Sequence, residues 1–167
     1  MRDGTKKLKE LELPEDQVRS LSRCDEVLAY YNIVSDTMQP TLQPQDRIVV
    51  DRTSYQTQTP QRGDIVAVKL SSATTTGTTA NPLTNRIIGL PGETVKIVEG
   101  KLYIDDRPIP ENYIVPSSKQ QLAAKLVPAG SYLILGDNRN HATNPSSAEF
   151  VTREAIVGKV IWHFGSK

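Results

Sequence analysis

A chain of 167 residues with 37% hydrophobic and 23% charged content is long enough for one domain with its own core, or one domain with a small appendage. A net charge of +1 without a basic block gives nucleic-acid binding no electrostatic support, so no nucleic-acid partner is expected. The single cysteine, Cys24, excludes an intrachain disulfide, and no stretch approaches the ~18–20 apolar residues of a transmembrane segment.

Residues 1–31 read as a short N-terminal helical extension. Leu8, Leu11 and Leu13 stand among charges, and Val18, Leu21, Val27 and Leu28 follow a partial helical period. Pro14-Glu15-Asp16 has the proline-then-acid order of a helix start. The basic residues of Met1–Lys7 have no apolar run behind them, unlike a signal peptide. The extension is expected to pack on the core, or else to serve as a docking arm for a protein partner. Cys24, set between Arg23 and Asp25, reads as a bystander rather than a nucleophile.

Residues 32–167 read as a β domain. Arg47–Arg52 and Asp64–Leu70 are β-branched runs bounded by turn residues. Residues 71–84 form a polar, low-complexity stretch expected to be a mobile, solvated loop. Thr94–Val98, Glu99-Gly100 and Lys101–Asp105 read as a hairpin, with Val95, Ile97, Leu102 and Ile104 assigned to two faces by alternation. Ser131–Leu135 and Ala155–Trp162 follow as late strands. The fold class is mainly β, of folded-sheet or barrel type.

Four segments carry chemistry. The first is Ser35-Asp36-Thr37-Met38-Gln39-Pro40-Thr41-Leu42, followed by Asp46-Arg47. The second is Arg62-Gly63-Asp64-Ile65-Val66, and the third runs from Asn85-Arg86 through Gly89-Leu90-Pro91-Gly92-Glu93. The fourth is Gly136-Asp137-Asn138-Arg139-Asn140. In this order, over about residues 30–164, they resemble the type I signal peptidases, with wording nearest the cyanobacterial and chloroplast branch.

That family's first motif is Ser-x-Ser-Met-x-Pro-Thr, whose serine before the methionine is the nucleophile. Thr37 holds that position here. The family's lysine base precedes Arg-x-x-Gly-Leu-Pro-Gly, and Asn85 holds that position. The resemblance implies that Ser35 is the helper hydroxyl of the oxyanion site, beside the Thr37 backbone N–H. It implies substrate contact at Met38 and Pro40, and support of the site by Arg86, Gly136, Asp137 and Arg139. The family's fourth motif continues to a serine that hydrogen-bonds the lysine, and then to an acid. Those positions are Ala142 and Asn144.

Cleaving an amide needs a nucleophile, a base and a place for the oxyanion. A lysine base, with an ordinary pKa near ~10.4, must be desolvated to accept a proton near neutrality. Thr37 keeps a hydroxyl, but its methyl restricts χ1 and crowds the approaching carbonyl. Asn85 is the larger loss, because an amide does not titrate in water and general-base catalysis is worth ~10²–10⁴-fold. Ala142 removes the base's orienting partner as well. His141 reads as a loop residue and Lys69 as a surface amine, so neither is expected to replace the base. Self-cleavage before Thr37, which would make its new amine a base, has no support beyond the threonine.

The expectation is a soluble signal-peptidase homologue, catalytically impaired or inactive, that keeps a groove for an extended peptide or preprotein segment. The alternatives are a peptidase using Thr37 and an interaction module acting through residues 1–31. No cofactor is implied. No metal is implied either, since His141 and His163 lack ligand spacing. Type I signal peptidases carry N-terminal membrane anchors. The compartment is therefore expected to be the cytoplasm if this chain is complete, and the periplasmic or lumenal membrane face if an anchor preceded it.

Overall fold

The computed structural model describes residues 27–69, 81–114, 120–140 and 148–165. Its strands, in chain order, are β1 (Leu28–Asn32), β2 (Arg47–Asp51), β3 (Ile65–Val68), β4 (Leu83–Gly89), β5 (Thr94–Val98) and β6 (Lys101–Ile104). They continue with β7 (Arg107–Ile109), β8 (Leu122–Leu126), β9 (Ser131–Leu135), β10 (Glu149–Thr152) and β11 (Ile156–Phe164). A single helical turn, α1 (Ser54–Thr57), follows β2. Seven strands form one antiparallel sheet in the order β1-β2-β11-β3-β4-β9-β10, and four form a second in the order β7-β6-β5-β8. The folded-sheet form of the expected architecture is the one present. The barrel is not closed, since β1 and β10 are the two edges of the larger sheet.

The continuous apolar runs mark strands covered on both faces. On β3, Val66 and Val68 enter a cluster with Ile87, Tyr132, Ile134 and Ile156. Ala67 points the other way, into a cluster with Met38, Leu42, Ile48 and Val50. On β4 and β9 the alternation puts Ile88, Leu133 and Leu135 into a third cluster, shared with Val95, Ile97, Leu102 and Ile104 of the smaller sheet. The strands β3, β4 and β9, which carry or lead into the second, third and fourth motifs, are therefore clamped from both sides.

The β5–β6 hairpin closes over the two residues read as its turn. Glu99 and Gly100 have φ of 50° and 75°, the left-handed pair that a two-residue turn requires. Register places Val95 opposite Ile104 and Ile97 opposite Leu102. All four side chains consequently lie on one buried face, not two, because alternate residues and their cross-strand partners share a face.

Two other expectations change. Residues 28–31, read as the end of a helix, lie in β1, where Leu28 to Asn32 pair residue by residue with Asp51 to Arg47 of β2. A partial helical period over so short a stretch yields to long-range pairing and to the β preference of Tyr30 and Tyr31. Leu83 and Thr84, read as loop, open β4, because they pair with Val68 and Ala67. Asn81 and Pro82 stay outside any strand, while residues 71–80 of that loop lie outside the described residues, as do Leu70 and residues 1–26 with Cys24. Among the described residues no helix is long and apolar enough to cross a membrane.

Candidate functional site

The chain leaves β1 and turns sharply over residues 35–42. Ile33 N–H donates to the Asp46 carbonyl at 2.8 Å and Gln45 N–H to the Ile33 carbonyl at 2.7 Å, tying the two ends of the excursion together. Met38 and Leu42, each 1% exposed, anchor the turn in the core. Sinking the apolar residues leaves Ser35 and Thr37 half-buried on the outer side, with their hydroxyl oxygens 2.9 Å apart and hydrogen-bonded. The Gln39–Pro40 peptide is cis, and Pro40 is exposed beyond the site.

The turn is held from behind by the fourth motif. Asn138 N–H donates to the Thr37 carbonyl at 2.9 Å, and its side-chain amide donates to the Asp36 carbonyl at 3.0 Å. Gly136 has no Cβ because one would run into the Thr37 carbonyl oxygen, a backbone atom that cannot swing aside. Gly136→Ala is expected to push the two segments apart and lower stability by about 1–3 kcal/mol, the usual cost of overpacking. The midpoint of a urea titration measures it, and an unchanged midpoint would mean that the approach is not held.

All four motifs meet at one ion pair. Arg86 donates from Nε to Asp137 Oδ1 at 2.8 Å and from Nη2 to Oδ2 at 2.5 Å, a bidentate pair in which the Asp137 carboxylate is fully buried. Thr41, from the first motif, donates to Asp137 Oδ2 at 2.5 Å. The Gly63 carbonyl, from the second, accepts from Arg86 Nη1 at 2.9 Å. Burial disfavours the Arg86 charge, but the Asp137 bonds outweigh it and raise the guanidinium's pKa.

A second buried pair braces the first. Tyr113 lies under the Arg86 guanidinium, 3.9 Å from ring centroid to carbon, and donates to Glu111 at 2.6 Å. Glu111 accepts in turn from both terminal nitrogens of Arg139, whose Nε donates to the Gly136 carbonyl at 2.9 Å. Burial, followed by the Glu111 carboxylate, pushes the Tyr113 phenol well above its ordinary pKa. The network returns to Gly136 and hence to Thr37.

A cleft of about 540 Å³ opens beside the hydroxyl pair. Tyr31–Ser35, Thr37 and Met38 form one wall, and Asn81–Thr84 form the opposite wall. Arg52, Val68 and Lys69 complete it. Among the described residues, the start of β4 along that second wall is paired on one side only. Its residues 83–86 pair with β3, whereas β9 pairs with Arg86, Ile87 and Gly89 and then departs at Gly136. Among the described residues, Leu83, Thr84 and Asn85 therefore have no strand partner on the β9 side.

Asn85 is not among the residues lining the cleft; it is buried beside it on β4, 5% exposed and opposite Val66 of β3. Its side-chain carbonyl oxygen is buried with no hydrogen-bond partner among the described residues. The structure thus brings Ser35, Thr37 and Met38 to the cleft and leaves Pro40 outside it. Arg86, Asp137, Gly136 and Arg139 form the frame behind. Ala142, His141 and Asn144 lie outside the described residues. His163 sits on β11 with Nδ1 3.9 Å from the Asp46 carboxylate. Lys69 is exposed, but on the cleft. Sequence reading missed Thr41, Glu111, Tyr113 and Arg52. Only Thr41, inside the first motif, carried a signal; Glu111 and Tyr113 join the site across 28 and 27 residues of chain.

Comparison with known proteins gives one consistent result. The family model described as signal peptidase, peptidase S26, matches residues 23–164. The chain is 39% identical over 137 residues to signal peptidase I of Leptolyngbya laminosa, covering 79% of this chain and 66% of that protein. It is 36% identical over 132 residues to a probable signal peptidase I-2 of Synechocystis sp., covering 79% of this chain and 61% of that protein. The chain thus spans just under two thirds of the length of these two relatives. A crystal structure of a signal peptidase I from Enterococcus faecalis aligns with a TM-score of 0.45 at 27% identity, over 62% of this chain and 97% of that one.

Proposed function

Because the chain belongs to the signal peptidase S26 family, we propose that it binds an extended peptide in the cleft beside Ser35 and Thr37, with its peptide-cleaving pair degenerate. The observation that carries this reading is Asn85, a buried, uncharged amide with an unpartnered carbonyl oxygen at the position of the family's base. It accepts hydrogen bonds but takes no proton from a hydroxyl near neutrality. The partner that the turn gives the Thr37 hydroxyl is another hydroxyl, Ser35. Such a pair can orient a carbonyl or hold a developing negative charge, but it does not supply the base.

Binding asks less of the site than cleavage. The open edge of β4 offers backbone groups to an incoming strand, the mode in which main-chain bonds give affinity and side-chain pockets give selectivity. Ile33, Met38, Val68 and Leu83 make the walls apolar, which suits small aliphatic side chains. The test is fluorescence polarisation with labelled Ala-x-Ala-containing peptides, followed by mass spectrometry of the mixture. Saturable binding with intact peptide is expected. Failure to bind any extended peptide overturns the reading. Cleavage that disappears in Thr37→Ala would instead establish a working threonine peptidase.

A further inference from the structure

We propose that the cleft selects an extended peptide carrying a carboxylate that reaches Arg52 and Lys69. The inference rests on the peptide-binding reading above and names the class of ligand. Two of the cleft's lining residues are cations, Arg52 and Lys69, and among the described residues none is an aspartate or glutamate. The rest of the lining is neutral, with apolar walls that weaken screening and focus the field of two like charges.

The acid nearest Arg52 in the chain is already engaged. Asp51 accepts from the Thr53 N–H and hydroxyl at 2.7 and 2.8 Å, and from the Ser54 N–H and hydroxyl at 3.2 and 2.7 Å. Four donors saturate its carboxylate and fix it in the turn that starts α1. What Arg52 holds is the Tyr31 hydroxyl, at 3.4 Å and in an exposed position. That contact is long enough to be exchanged for a ligand oxygen. Residues 70–80, which connect Lys69 to the opposite wall, contain no acid in their sequence.

Register locates Lys69, and a side-chain contact locates the Arg52 guanidinium. Lys69 follows Val68, the partner of Leu83, so it sits by the Asn81-Pro82 end of the β4 wall. Arg52 is bonded to Tyr31, four residues before Ser35. A purely aliphatic peptide offers these two cations no acidic partner, whereas an acidic side chain or a terminal carboxylate does.

The experiment scans one aspartate, against asparagine, through each position of a labelled alanine-rich peptide, with affinity for the full chain read by polarisation. Aspartate at the favoured position is expected to bind about threefold to tenfold tighter than asparagine at low salt. The gain should vanish in Arg52→Gln/Lys69→Gln and at about 0.5 M salt, where screening shortens the range of charge pairs. The urea midpoint of that variant should match the native chain's, which shows that it is folded. Neutral peptides that bind while aspartate adds nothing anywhere would overturn this inference and leave the peptide-binding reading standing. A gain that survives the double substitution would overturn it as well. If no extended peptide binds, the peptide-binding reading falls first and this inference with it.

Discussion

Thr37→Ser, Asn85→Lys and Ala142→Ser introduced together are expected to raise peptide cleavage by ~10²-fold or more over the native chain, because a positioned general base is worth ~10²–10⁴-fold. At 1.36 kcal/mol per decade this is about 2.7–5.5 kcal/mol of barrier. The scaffold needed for that gain is already assembled. Met38 and Leu42 anchor the turn, Asn138 holds the Thr37 carbonyl, and the Ser35 hydroxyl stands 2.9 Å from that of Thr37. A lysine entering position 85 would occupy a site 5% exposed, where desolvation lowers its pKa toward the range a base requires. It would also remove a buried carbonyl oxygen without a partner, a group that costs about 1–3 kcal/mol. Each substitution alone is expected to yield little, since members of a catalytic unit do not act additively. Product masses from a defined peptide measure the outcome. A repaired chain that binds the peptide but leaves it whole would show that position 85 does not deliver a base to Thr37.

Asp137→Ala is expected to cost about 3–5 kcal/mol of folding stability, the usual penalty for stranding one charge of a buried pair. Asp137 is fully buried, and Arg86 is only 11% exposed in its side chain. Removing the carboxylate leaves the Arg86 guanidinium against Tyr113 and the Gly63 carbonyl, and leaves Thr41 without its acceptor. The double variant Arg86→Met/Asp137→Leu should lose less than Asp137→Ala alone. A buried pair costs nearly as much in desolvation as it returns in attraction, whereas a lone buried charge pays without return. Urea midpoints across the cycle check both statements. A loss below about 1 kcal/mol for Asp137→Ala would mean that the meeting of four motifs at this pair does not hold the site together.

These two experiments separate what the network supports from what the cleft performs. The repair adds chemistry to an intact frame. The charge deletion removes the frame and leaves Ser35 and Thr37 in the sequence but not in place. The contrast follows from the geometry, since Asp137 reaches the turn through Thr41 and through the chain that carries Gly136 and Asn138.

Features that depend on neighbours in the chain were legible from residues alone. The Glu99-Gly100 turn was, because two residues with positive φ and flanking alternation are a local requirement. The apolar runs of β2, β3 and β9 were, because burial on both faces selects continuous apolar stretches. The four motifs and the altered residues Thr37 and Asn85 were also visible, since they need only identity and order. Tertiary structure decided the rest. Leu28–Asn32 became a strand through pairing with β2, which competes with a local helical period and wins by cross-strand burial. Glu111 and Tyr113 joined the site through contacts spanning most of the smaller sheet. The isolation of the Asn85 carbonyl, the open edge of β4 and the meeting of Arg52 with Lys69 on one cleft arise the same way. Burial and charge environment are set by residues distant in sequence, and only the folded chain brings them together.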